Sequence, residues 1–104
     1  MARQKRLNLP GAVYHVITRG LNGAALFKDQ ADREEFLRWL TQALDKTAFR
    51  CYSWALMTNH VHLLIRTSEP SLSEFMSKTL TGYAKYFNRR HHRRGYGSVP
   101  ELAY

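Results

Sequence analysis

Two histidines one residue apart, His60 and His62, lie inside the run "LMTNHVHLLIRTSEP" at residues 56–70. The aliphatics around them read as a buried strand, and side chains on a strand alternate between its two faces. Val61, Leu63 and Ile65 then take the core face, and His60, His62 and Leu64 take the other. At about 3.3 Å per residue the two histidine Cα atoms are ~7 Å apart, close enough for both imidazoles to converge on one divalent metal ion. Imidazole binds metals as a neutral ligand, and an ordinary pKa near 6.5 leaves it mostly neutral at neutral pH. Two unconnected histidines on a half-exposed sheet would have the same spacing, so spacing alone leaves both readings open.

A second cluster is basic. "KYFNRRHHRRGYG", residues 85–97, interleaves arginines with aromatics and glycines. Such a run neutralises phosphates by counterion release while its rings stack on unpaired bases. Arg89, Arg90, Arg93 and Arg94, with Lys85 beside them, are the main candidates for nucleic-acid contact. Arg3, Lys5 and Arg6 of the N-terminal arm come second, and Arg19 and Arg66, at strand ends, are weaker ones. A solvated helix end with cations near its negative dipole accounts for one or two of these charges but not for the cluster. His91 and His92 are read as part of the patch. His15 is expected to pack, with the metal side as its alternative.

The elements that must position these groups are legible in the pattern. Residues 1–11 form a basic arm ending in the turn-prone Pro10-Gly11. Residues 12–20 alternate as a first strand, with Val13, His15 and Ile17 on one face and Tyr14, Val16 and Thr18 on the other. From Asp29 to Lys46 the period becomes helical, with Asp32-x-x-Glu35 as an expected capping box and Phe36, Leu37, Leu40 and Leu44 as an apolar stripe. Strands follow at 49–57 and 60–67, separated by Thr58 and Asn59 at hairpin spacing. Ser71-x-x-Glu74 then caps a helix over 71–90, whose stripe Leu72, Phe75, Met76, Leu80, Tyr83 and Phe87 is read as core. Residues 91–104 form a basic tail. The order β-α-β-β-α is the ferredoxin-like α+β pattern without its last strand. Two helices would cover one face of an antiparallel sheet and leave the other open.

Composition sets the frame. The 104 residues suit one domain, 1–104, and 44% hydrophobic with 23% charged residues is globular rather than disordered. Sixteen Lys and Arg against eight Asp and Glu leave a net charge of +8. That excess favours an anionic partner, nucleic acid ahead of an acidic membrane surface, with an ordinary enzyme bearing a solvated basic surface as the bland alternative. The single cysteine, Cys51, excludes an internal disulfide and a cysteine zinc cluster, and is read as a small strand residue. The N-terminus has no apolar stretch of the secretory kind and no segment reaches membrane-spanning length, so the cytoplasm is the expected location.

"NHVHLLI" resembles the histidine-hydrophobe-histidine motif of the HUH single-strand nucleases. Its context "WALMTNHVHLLI" is similar to the REP-associated tyrosine transposases and their insertion-sequence relatives. "YHVITRGLNGAALFKDQADREEFLRWL" matches their first strand and helix, and "LTGYAKYFNRRHHRRGY" their long helix and basic segment, so that the resemblance covers roughly residues 10–96 in order. Thr58 stands where these proteins usually have proline. The resemblance implies that His60 and His62 help to bind Mg²⁺ or Mn²⁺, with a further polar ligand from a C-terminal helix. It implies a tyrosine that attacks a scissile phosphate of single-stranded or hairpin DNA, leaving a 5′-phosphotyrosine and a free 3′-hydroxyl. It also implies a homodimer. Manganese is the better match for imidazole, magnesium for oxygen ligands.

In that family the tyrosine lies on a helix after one more strand, downstream of the basic segment. The sequence after Gly95 departs from the pattern, and the expectation is that both the strand and the tyrosine helix are missing, in a truncated or decayed enzyme. Tyr14 and Tyr52 read as packing residues and Tyr83 as core. Tyr86, off the centre of its helical stripe beside Lys85 and Arg89, is the remaining candidate nucleophile, ahead of Tyr96 and Tyr104. Whether the chain is an enzyme stays open, and the alternative is a non-catalytic single-stranded or hairpin DNA-binding module on the same scaffold. An RNA-recognition domain shares the topology, but the aromatic signature of its central strands is missing from "HVHLLIRT".

Overall fold

The structure, a computed structural model, describes residues 11–69, 71–92 and, for the backbone alone, 101–103. Strand β1 (Val13–Arg19) runs through a single 3₁₀ turn at Leu21–Gly23 into helix α1 (Gln30–Asp45). The hairpin β2 (Arg50–Leu56) and β3 (His60–Arg66) follows, then helix α2 (Leu72–Arg90) and the short strand β4 (Glu101–Ala103). The sheet order is β2-β3-β1-β4, and every neighbouring pair is antiparallel. This is the ferredoxin-like arrangement expected from the element order.

One part of that expectation is corrected. The last strand is present in short form: Glu101, Leu102 and Ala103 pair with Arg19, Thr18 and Ile17. Three residues are too few to carry an alternating pattern, so the strand left no period to detect. No helix follows α2 among the described residues.

The core fills the space between the sheet and the helices. Val16 on β1 and Val61, Leu63 and Ile65 on β3 are buried against Phe36 and Leu40 of α1 and Leu72, Phe75, Met76, Leu80, Tyr83 and Phe87 of α2. Phe49 stacks on Phe75 at 4.3 Å between centroids, while Phe27, Phe36 and Tyr83 meet edge-on or tilted. Tyr83 is core, as its place in the stripe predicted, and its hydroxyl donates to the Leu26 carbonyl. Tyr52 is a correction: it stands half exposed at a bulge in β2, between the Cys51 and Ser53 pairings.

Helix starts follow their caps. Ser71 Oγ accepts from Glu74 N at 3.2 Å, as the Ser-x-x-Glu spacing predicted. For α1 the cap is Asp29, three residues earlier than expected, whose Oδ1 accepts from Asp32 N at 3.1 Å. Asp32 is thereby freed for another task. The helices meet closely where Gly82 faces Trp39: a Cβ at Gly82 would come within 2.5 Å of the indole ring. No described helix is long and apolar enough to cross a membrane.

Candidate functional site

The helices cover one face of the sheet and leave the other open. On β3, Val61, Leu63 and Ile65 are buried, whereas His60 and His62 are half-buried and Leu64 is exposed. The alternation read from the sequence therefore holds, and both histidines lie on the open face. Their ring centroids are 4.9 Å apart with the planes at 79°.

A third imidazole joins them. β1 pairs with β3 so that Ile17 opposes His62 and His15 opposes Leu64, which makes His15 the diagonal neighbour of His62 on the same face. His15 was expected to pack; it is exposed, and its Nε2 lies 2.9 Å from His62 Nδ1. The two rings are within 19° of parallel, with centroids 5.1 Å apart. Two ring-edge nitrogens joined in plane would put the centroids roughly 5 Å apart, so this is an edge-to-edge hydrogen bond rather than face-to-face stacking. His60 Nδ1 is likewise engaged, by Asn59 Oδ1 at 2.8 Å. The sequence reading took Asn59 only as a turn residue and gave the metal side as the alternative for His15; that His15 neighbours His62 follows from the strand order, which local pattern does not contain.

The turn that carries Asn59 is fixed by the β1–α1 connection. Gly20 N donates to Asn59 O (3.1 Å), Leu26 N to Thr58 O (2.7 Å), and Met57 N to His60 O (2.8 Å). Gly20 is needed for this approach, because a Cβ there would meet the Ala24 carbonyl oxygen at 2.1 Å. The turn is built through the Thr58 carbonyl, a group that proline also has, so threonine at this position leaves those contacts available.

The open face is electropositive at both ends. Arg19 opposes His60, and Arg66, paired with both Val13 and Arg50, lies at the far end. Partial burial, followed by the fields of His60, His15 and Arg19, pushes the His62 imidazole below its ordinary pKa. Each of these causes disfavours the protonated ring and so keeps its nitrogen lone pair available.

The candidates on α2 are placed elsewhere. Tyr86 belongs to the helical layer, on the other side of the sheet from the histidines, and its hydroxyl donates to Asp32 Oδ1 at 3.0 Å. Arg90 is held by Asp29 (2.7 and 2.8 Å) and by Asp32 (2.7 Å), and His91 Nε2 lies 2.8 Å from Asp32 Oδ2. The Lys28 amide donates to the same carboxylate at 2.9 Å. The Asp32 side chain is fully buried. Burial opposes its ionisation, but the hydrogen bonds from Lys28 N, Arg90, His91 and Tyr86 outweigh it and hold the carboxyl below its usual range. Arg90, and then the Asp32 amide, draw Asp29 down to about 2. Burial, then the bond to Asp32, pushes the Tyr86 phenol up. This hub joins the start of α1 to the end of α2, and sequence reasoning missed it.

Lys85 and Arg89 are exposed on α2. Arg3, Lys5, Arg6, Arg93 and Arg94, and with them Tyr96 and Tyr104, lie outside the described residues. Among the described residues no group of three or more His, Cys, Asp or Glu side chains is arranged to hold a metal ion. Among the described residues, the imidazoles gathered on the open face are those of His60, His62 and His15.

Taken together, the sheet order and the placement of the helices define a ferredoxin-like domain whose histidines lie on the sheet face opposite the helices. The family model described as transposase, IS200 like, matches residues 8–98, and the chain belongs to the IS200-like transposase family. Among solved structures it is similar to a REP-associated tyrosine transposase bound to a REP hairpin, with 12% identity over 85% of this chain and a TM-score of 0.67. It is also similar to a protein from Deinococcus radiodurans R1 assigned as a transposase, with 14% identity over 99% of this chain and a TM-score of 0.69. The chain spans 54% of the length of the first and 85% of the second. A comparison with curated proteins returns no significant match.

Proposed function

We propose that this domain is the metal-binding and DNA-recognising part of a single-stranded DNA endonuclease and strand transferase of the transposase type. The observation that carries the reading is the geometry of the histidine pair. With a metal–nitrogen bond of about 2.1 Å, two imidazoles bound to one ion at roughly right or tetrahedral angles have centroids about 4.6–5.3 Å apart. His60 and His62 are at 4.9 Å. That separation supports a shared Mg²⁺ or Mn²⁺, completed by oxygen ligands, and borderline manganese suits imidazole better than magnesium does. When bound, such an ion stabilises charge on a scissile phosphate.

The chain's own residues do the rest. His60 and His62 would hold the ion, and Arg19, opposite His60, would take a neighbouring phosphate. Lys85 and Arg89, with the arginines of the arm and tail, supply the sequence-independent attraction to single-stranded or hairpin DNA. The similar REP-associated transposase, bound to a REP hairpin, supports DNA as the partner. Tyr83 and Tyr86 belong to the helical layer and Tyr14 to the core face of β1, away from the histidines, while Tyr52 stands exposed at the β2 bulge. A homodimer acting in the cytoplasm belongs to the same reading.

Incubation with labelled hairpin DNA and Mn²⁺, followed by a denaturing gel, tests it: a covalent protein–DNA adduct is expected. DNA binding without an adduct would favour the second reading, a non-catalytic DNA-binding module, which the capture of the Tyr86 hydroxyl by Asp32 favours.

A further inference from the structure

We propose that Asn59 and His15 are positioning residues, which set the tautomers of His60 and His62 so that both present an Nε2 lone pair to one ion. The inference deepens the metal reading above and rests on it. A neutral imidazole carries one proton, and the nitrogen without it is the ligand. His60 Nδ1 is 2.8 Å from Asn59 Oδ1, and a carbonyl oxygen can only accept. With the amide oxygen facing the ring, the proton sits on His60 Nδ1, leaving Nε2 as the ligand.

His62 Nδ1 is 2.9 Å from His15 Nε2 in a nearly coplanar pair, and the proton between them belongs to one ring or the other. With the proton on His62 Nδ1, His15 Nε2 accepts it and His62 Nε2 becomes a ligand. The two histidines then have the same arrangement: Nδ1–H tied down, Nε2 left as the ligand. Ligating histidines in metal sites are oriented by just such a partner on the other ring nitrogen.

The two partners are themselves held. Asn59 sits in a turn whose carbonyl receives Gly20 N, and His15 is fixed by the β1–β3 register, which aims it at His62 rather than at the Leu64 it directly opposes. Neither partner is buried, and neither contributes to the hydrophobic core. Their removal should change the site and not the fold.

Nitrogen-15 NMR of the imidazoles in the metal-free protein tests the assignment, at a pH about two units above the ordinary imidazole pKa. His60 and His62 are expected as Nδ1–H tautomers. In Asn59→Ala and His15→Ala the corresponding ring should revert to the mixture of free imidazole, and the Mn²⁺ dissociation constant should rise about 10- to 100-fold. Asn59→Asp and His15→Gln, which keep an acceptor, should restore both readouts. Nε2–H tautomers in the unaltered protein, or alanine variants with unchanged tautomer and Mn²⁺ affinity, would overturn the positioning roles while leaving the metal site standing. Nδ1–H tautomers in a protein that binds no Mn²⁺ would overturn the metal reading and this proposal with it.

Discussion

Replacing Tyr86 by phenylalanine separates a structural tie from a nucleophile. The substitution keeps the ring, which packs 5.7 Å from Tyr83, and removes only the hydroxyl donating to Asp32 at 3.0 Å. A hydrogen bond to a charged group contributes about 1.5–3 kcal/mol, and the lower end applies here. Asp32 Oδ1 still receives Arg90 at 2.7 Å, so the carboxylate is not left bare. A loss of about 1.5 kcal/mol lowers the melting temperature by roughly 6–12 °C in a domain of this size. The phenol is also poorly placed for attack. Burial and the bond to Asp32 raise its pKa, and a carboxylate held below its usual range is a weak base. Thermal melts by circular dichroism, alongside adduct formation and Mn²⁺ binding, check the prediction: stability falls, and the other two are unchanged. A variant of unaltered stability, within about 0.3 kcal/mol, that no longer forms an adduct would refute it and make Tyr86 the nucleophile.

The remaining predictions concern charge and packing. Arg89→Ala should lower the slope of log affinity against log salt by about 1, whereas Arg90→Ala should leave that slope unchanged and lower the melting temperature, since Arg90 is spent on Asp29 and Asp32. Both carboxyls have depressed pKa values in the folded protein, so their stabilisation is complete above the ordinary carboxylate value of 3.8 and is lost as pH falls through the folded one. For Asp29 that window runs from about 4 down to about 2, and acid titrations of melting temperature should show a fall there that is shallower in Arg90→Ala. Gly82→Ala gains about 1 kcal/mol of helix propensity but drives a methyl into the Trp39 ring, an overpacking cost of about 1–3 kcal/mol. A net loss is expected, with a shift in tryptophan emission that a pure propensity effect would not produce.

What the sequence revealed, and what it hid, divides by the range of the interaction. His60 and His62 were legible because alternation is a property of adjacent residues, and β3 buries Val61, Leu63 and Ile65 as alternation requires. The Ser71 cap was legible for the same reason. At α1 the local rule was ambiguous: two aspartates three apart both precede a helical period, and the second was read as the cap. Its side-chain partners Tyr86, Arg90 and His91 are 54, 58 and 59 residues away. No window of sequence connects them.

The same distinction explains why one basic cluster has two fates. Arg89 and Arg90 are adjacent and identical in composition terms, and the charge excess treats them alike. A helix turns about 100° per residue, so neighbours point in different directions. Arg90 turns toward the start of α1, where Asp29 and Asp32 neutralise it, and Arg89 turns to solvent. A cation with two carboxylate partners releases no counterions to DNA, because its charge is already compensated. The number of basic residues in the run therefore overstates the phosphates it can hold, and Arg90 is the position at which that count falls by one.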